Sequence, residues 1–73
     1  MTILDATGLK CPLPVLKAKK ALKALPPGAS LEVRATDPGA PGDFAAFCSA
    51  TGDTLERADD SDGTFVFIIR KAG

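Results

Sequence analysis

The sequence predicts a two-layer α/β fold in which two helices cover one face of a sheet. Two segments have helical spacing of apolar residues and end at Pro or Gly, and four shorter segments have the composition of strands. Their order is strand, helix, strand, helix, strand, strand. Two successive crossovers of the usual hand place both helices on the same side of the sheet.

The first strand is predicted over Thr2–Ala6 and the first helix over about residues 12–25. Pro12 suits the first helical position, and Pro14 still lies in the first turn, whose amides have no intrahelical partner. The prolines and glycine at 26–28 end this helix. Apolar residues at helical spacing form its core stripe: Val15, Ala18, Ala21, Leu22 and Leu25.

Residues 31–37 alternate between apolar and polar, which predicts a half-buried strand. A turn at 37–39 leads to a second helix over about residues 41–51. Gly52 ends that helix. Four of its residues fall on one face of the helix: Phe44, Phe47, Cys48 and Thr51.

The last two strands are predicted as a hairpin. Residues 54–58 form the weaker strand, and the acidic segment 59–63 forms the loop. Thr64–Arg70 is the strongest strand, and residues 65–69 are apolar on both faces, which predicts a central position. Because there are only two helices, the other face of the sheet is expected to meet solvent.

Length and composition exclude several classes of function. The 73 residues predict a single domain over 1–73, expected to be a monomer. Nine basic and nine acidic residues cancel, so the chain lacks the positive charge of a dedicated nucleic-acid binder. The start of the chain does not resemble a signal peptide, and no apolar run reaches the roughly 18 residues of a membrane span. We therefore expect a cytoplasmic protein without membrane or direct nucleic-acid contacts.

Two cysteines and no histidine bear on metal binding and redox state. In a cytoplasmic protein, Cys11 and Cys48 are expected to be free thiols. Two thiols without histidine make a zinc or haem site improbable, so no metal and no cofactor are predicted. Cys48 lies on the apolar face of the second helix and is interpreted as a core residue. A role as a resolving cysteine is the alternative.

Cys11 is the candidate reactive residue. It follows the first strand and opens the first helix, and sites in open α/β sheets gather beyond the carboxyl ends of strands. The partial positive charge of the helix start and the adjacent Lys10 predict a lowered thiol pKa. Pro12 and Pro14 stiffen the backbone that presents the sulfur. The alternative is that Cys11 only fills space at the helix start.

The segment around Cys11 resembles the signature of the TusA-like (SirA-like) sulfur carriers. Their mark is a Cys-Pro-x-Pro motif opening the first helix, here within Gly8-Leu9-Lys10-Cys11-Pro12-Leu13-Pro14. The similarity extends over nearly the whole chain through three further matches: Asp37-Pro38, Phe47-Cys48 and Ile69-Arg70-Lys71. One departure is the start of the second helix, where residues 39–42 lack the Thr or Ser common in the family.

The resemblance implies a four-stranded mixed sheet and a carrier, not an enzyme. It implies that Cys11 receives a persulfide sulfur from a cysteine desulfurase or a rhodanese-type protein. The sulfur then passes to a downstream acceptor protein, for example in the synthesis of 2-thiouridine in tRNA. The first alternative is a thiol redox protein, which normally uses a Cys-x-x-Cys pair, whereas position 14 is Pro. The second is a regulatory or RNA-interacting domain, which the absence of Tyr and Trp for base stacking weakens.

A docking surface is predicted beside Cys11. Leu13 and Leu16 lie off the core stripe of the first helix, and Lys17 and Lys20 border them. Exposed leucines beside a reactive thiol are typical of a protein contact. The alternatives are that a loop or terminus covers the leucines and that the lysines form an ordinary solvated face.

Overall fold

The computed structural model describes residues 2–72, and its element order is the predicted one. Met1 and Gly73, the ends of the predicted domain, lie outside the described residues. Neither helix of the described chain is long and apolar enough to cross a membrane. The elements are β1 (Thr2–Ala6), α1 (Leu13–Lys23), β2 (Ser30–Ala35), α2 (Ala40–Thr51), β3 (Thr54–Ser61) and β4 (Thr64–Arg70).

The four strands form one mixed sheet in the order β1-β2-β4-β3. β1 and β2 are parallel, while β4 is antiparallel to both β2 and β3. This confirms the predicted two-layer fold and the central position of β4. Ala6 is opposite Ala35, so the parallel strands β1 and β2 end at the same edge of the sheet. The helices that follow them, α1 and α2, therefore begin near each other.

The core lies between the helices and the inner face of the sheet. Ala18 and Leu22 of the predicted stripe are buried, and the rest of the stripe packs partly buried against the core. Thr51 is exposed although it lies on the same helical face as Phe44 and Cys48, and its hydroxyl donates to Asp53. On the outer face of the sheet, Ile3 is 55% exposed. The other large buried side chains are Leu31, Val33, Phe44, Phe67 and Ile69.

The helix boundaries differ from the predictions by one or two residues. α1 begins at Leu13 because Pro12 is its N-cap. It ends at Lys23, not at residue 25, because the amides of Ala24 and Leu25 bond three residues back and tighten the last turn. α2 begins at Ala40, one residue early, although its N-cap glycine offers no capping side chain.

Two strands also differ from the predictions. β2 ends at Ala35, because the next two side chains accept hydrogen bonds from loop amides instead of continuing the strand. β3 continues to Ser61, and the predicted five-residue loop is a two-residue turn. Asp62 and Gly63 both have positive φ, 51° and 82°, as such tight hairpins require. Pairing with apolar β4 outweighs the turn preference of the acidic residues at 59–61.

Candidate functional site

The loop between β1 and α1 is attached to the ends of two strands. The Asp5 carboxylate accepts hydrogen bonds from the Thr7 amide at 3.0 Å and the Thr7 hydroxyl at 2.6 Å. The hydroxyl bond is the main reason that the pKa of Asp5 is lowered. The Gly8 amide donates to the Thr36 hydroxyl at 2.9 Å, just beyond β2. These bonds hold the segment that leads to Cys11.

Cys11 lies just before the first turn of α1, with its side chain exposed. The Leu13 amide donates to the Lys10 carbonyl at 2.9 Å, which closes a turn over Cys11 and Pro12. The peptide bond between Cys11 and Pro12 is cis. Pro14 is buried under the first turn of α1. The loop thus presents the thiol at the surface, and Pro12 and Pro14 connect the loop to the first turn of α1.

Two carboxylates approach the thiol from the segment that follows β2. Sγ of Cys11 donates to Oδ2 of Asp43 at 2.5 Å, across 32 residues of sequence. A carboxylate oxygen of Asp37 lies within 4.8 Å of Sγ, and Oδ2 of Asp37 accepts a hydrogen bond from the Gly39 amide at 2.9 Å. Gly39 leaves space for the Asp37 carboxylate, since a Cβ there would lie only 3.0 Å from Asp37 Oδ2.

The pKa of Cys11 is raised, contrary to the predicted lowering. The main cause is the hydrogen bond to Asp43, followed by burial and by the negative charges of Asp43 and Asp37. The helix start offers little compensation, because Pro12 and Pro14 have no N–H and the Leu13 amide is bonded to Lys10. The thiol is therefore held in its protonated form.

The same three side chains could hold a cation. Cys11 Sγ and one carboxylate oxygen each of Asp37 and Asp43 all lie within 4.8 Å of one another. The prediction of no metal did not consider carboxylates that the fold brings beside Cys11. The trio supplies three ligands, whereas a structural zinc site normally takes four.

A groove between α1 and α2 opens beside Cys11. Its volume is about 330 Å³, and its wall is mostly apolar. Asp43 lies at this groove as well as against the thiol, so the groove and the Cys11 sulfur adjoin. The lining residues are Pro12, Val15, Asp43, Ala46 and Phe47.

Leu13 and Leu16 are exposed by 46% and 53%. No loop within residues 2–72 covers them, so the alternative of covered leucines is wrong for the described chain. Lys17 and Lys20 are exposed beside them on α1. The structure thus places the predicted docking residues on the surface of the helix that follows Cys11.

Cys48 lies in the core, as predicted. Its side chain is 5% exposed within the apolar cluster that contains Phe44. Burial is the main cause of its raised pKa, with a smaller contribution from Asp53. A buried thiol in apolar surroundings is unreactive, so this position does not suit a resolving cysteine for Cys11.

Sequence reasoning missed that Asp37, Gly39 and Asp43 lie beside the thiol. Asp37-Pro38 was interpreted as a turn and as a match to the family pattern, and Asp43 received no interpretation. A signal was available, because two parallel strands with helices on one side bring the segments after both strands to the same edge. Chemistry-bearing residues after β2 were therefore candidates to meet Cys11.

Of the two cysteines, Cys11 is exposed on the loop before α1 and Cys48 is buried in the core, so one thiol is accessible to a partner. The sequence matches the family model described as "Sulfurtransferase TusA" over residues 2–71. It is 57% identical over 67 residues to a candidate sulfur carrier protein of Neisseria meningitidis, covering 92% of this chain and 90% of that protein. It is 51% identical over 69 residues to the sulfur carrier protein TusA of Allochromatium vinosum, covering 94% and 91%.

A solved structure has the same fold. The SirA-like protein of Desulfitobacterium hafniense superposes with a TM-score of 0.84 at 26% identity, with complete coverage of both chains. The chain belongs to the TusA family of sulfur carrier proteins. Membership confirms the predicted resemblance, and the relatives are named as carriers.

Proposed function

We propose that Cys11 is the sulfur-carrying residue and that it holds the sulfur as a persulfide. The observation that supports this most strongly is the contrast between the two thiols. Cys11 is exposed on the loop before α1, whereas Cys48 is 5% exposed in the core. A sulfur relay between proteins needs a thiol that a partner can reach, and only Cys11 meets this requirement.

The transfer itself needs no redox cofactor. The Cys11 sulfur attacks the terminal sulfur of a persulfide on a donor protein, and the donor's S–S bond breaks. The donor cysteine leaves as a thiolate, and Cys11 then carries the S–SH group. Attack by an acceptor thiol on that terminal sulfur repeats the exchange and returns Cys11 to a thiol. Each step exchanges one S–S bond for another, so the transfer requires no net oxidation or reduction.

The partners we propose are a cysteine desulfurase or a rhodanese-type donor and a downstream acceptor protein. Their contact surface would be the exposed face of α1, with Leu13, Leu16, Lys17 and Lys20, together with the groove beside Cys11. Synthesis of 2-thiouridine in tRNA is one pathway such a relay serves. An exposed free thiol fits a reducing compartment, so we place this function in the cytoplasm.

The test is sulfur loading followed by intact mass. The protein is incubated with a cysteine desulfurase and cysteine under anaerobic conditions, without reductant. We expect the wild type and Cys48→Ser to gain the mass of one sulfur that dithiothreitol removes, and Cys11→Ser to gain none. A gain that survives in Cys11→Ser, or none in the wild type with either desulfurase or rhodanese donors, would refute the proposal.

A further inference from the structure

The position of Asp43 is determined by the helix that carries it. Asp43 lies in the first turn of α2, and its amide donates to the Gly39 carbonyl at 3.0 Å. The next residue, Phe44, is fully buried and anchors this turn to the sheet. The carboxylate therefore reaches the Cys11 thiol from a rigid element, which is how a group that acts on a reacting atom needs to be held.

The two carboxylates near the thiol have different contacts. Asp37 accepts a hydrogen bond from the Gly39 amide, which orients its carboxylate toward its own loop. Asp43 instead accepts the hydrogen bond of the Cys11 thiol at 2.5 Å. Only Asp43 is thus in contact with the proton that must leave when the sulfur reacts.

We propose that Asp43 is the proton acceptor for Cys11 during sulfur loading, an inference that rests on the proposed function. As Sγ forms its bond to the terminal sulfur of the donor persulfide, its proton moves to Oδ2 of Asp43. The donor's S–S bond breaks, and its electron pair leaves with the donor sulfur, which takes a proton from solvent. Asp43 then returns its proton to solvent, so the step is balanced.

The same contact keeps the Cys11 thiol of the free carrier protonated. The charged neighbours of the thiol are Asp43 and Asp37 on the segment after β2, and Lys10 next to it in sequence. The carboxylates raise the pKa of Cys11, so little thiolate is present near neutral pH. The thiol proton must therefore be removed during the reaction itself, and the Asp43 carboxylate is the group in contact with it.

Asp43→Asn separates this role from a purely electrostatic one, because it changes two reactions in opposite directions. Alkylation of Cys11 by iodoacetamide depends on the thiolate, so removing the charge makes it faster. Loading in a single turnover from a purified persulfidated desulfurase loses its base and slows by about 10²-fold or more. Asp62→Asn is the control, since it removes the same charge at a hairpin turn where Asn tolerates positive φ. All buffers contain EDTA, so that cation binding does not contribute.

A wild type that does not load refutes the proposed function itself. If the wild type loads and Asp43→Asn loads at the same rate, the proposed carrier function stands and the role of Asp43 is overturned.

The pH profile of the wild type tests the role of Asp43 even if the variant folds poorly. In this profile, the rate of sulfur loading of the wild type is compared with the rate of its alkylation at each pH. Loading that persists at pH values where alkylation has become slow supports Asp43, and loading that falls in parallel with alkylation overturns it.

Discussion

The ring of Phe44 in α2 stacks on the ring of Phe67 in β4, with centroids 4.6 Å apart and an interplanar angle of 28°. Both side chains are fully buried, and this contact joins the first turn of α2 to a central strand. Because Asp43 directly precedes Phe44, the stack also positions the carboxylate that contacts Cys11.

Phe44→Ala is expected to lower the free energy of unfolding by about 3–5 kcal/mol, because it leaves a cavity between α2 and the sheet. Phe65→Ala is the matched control, since Phe65 is only partly buried and its ring lies 6.3 Å from that of Phe67. Urea denaturation measures both. Equal losses would show that the Phe44 stack is not a principal contact of the core.

The two thiols are expected to differ in both accessibility and pH dependence. In Cys48→Ser, alkylation of Cys11 should occur in the folded protein and accelerate with pH, with a midpoint above that of a free cysteine, since Asp43 raises its pKa. In Cys11→Ser, labelling of Cys48 should require unfolding. Mass spectrometry of timed samples follows both reactions. A Cys11 midpoint below that of free cysteine would restore the original expectation of a thiolate stabilised by the helix start.

Much of the fold could be predicted because its signals are local. Alternation over Leu31, Val33 and Ala35 and the proline–glycine stop at 26–28 each depend on neighbouring residues. The extension of β3 to Ser61 could not be read in this way, since its acidic residues favour a turn and only pairing with β4 keeps them in a strand. Tertiary pairing outweighs local preference here.

The candidate site likewise combines features that local sequence signals predict with features that depend on tertiary contacts. Its motif and its place after β1 make Cys11 the candidate, but the direction of its pKa shift was predicted wrongly. Helix-start arguments assume free amides, and Pro12 and Pro14 have none. The carboxylates of Asp37 and Asp43 lie near the thiol because the fold brings the segment after β2 next to Cys11. The pKa of Cys11 depends more on these contacts than on a sequence neighbour such as Lys10.

Acid stability should depend on Asp5, which holds the loop before Cys11. Its pKa is lowered by the Thr7 hydroxyl bond, so the folded state favours the ionised form. The stabilisation is present above the pKa of the unfolded chain, about 4, and is lost as pH falls through the lower folded value. Thermal melting from neutral to acid pH should show a smaller acid-induced decrease in Thr7→Val than in the wild type. Identical pH dependence in the two proteins would exclude this contribution.

Lys17 and Lys20 are expected to act on association with an acidic partner surface. Changing both to Ala should slow transfer at low salt and reduce its salt dependence, with little loss of stability, because both are exposed and Ala favours helix. Lys19 and Lys23, changed together to Ala, are the control with the same charge change on the part of α1 that lines a cavity with Thr51 and Asp53. Stopped-flow transfer at several salt concentrations compares the pairs. An equal effect of both pairs would indicate general charge attraction without a local docking surface.

Leu16 provides the most direct test of the docking surface on α1. Its side chain is 53% exposed, so Leu16→Glu should change stability by only about 0.5 kcal/mol. It should still impair sulfur transfer, because it places a charge in an apolar contact. Ile3→Lys introduces a charge at a similarly exposed residue, 55%, on the outer face of the sheet and should leave transfer unchanged.

Leu22→Ala completes this comparison from the core side of the same helix. Leu22 is 4% exposed, and its truncation should cost about 2–5 kcal/mol, while the molecules that remain folded still transfer sulfur. Thermal melting beside single-turnover transfer distinguishes the two kinds of residue. A Leu16→Glu protein that melts and transfers like the wild type would place the partner contact elsewhere, with the groove lined by Ala46 and Phe47 as the next surface to mutate.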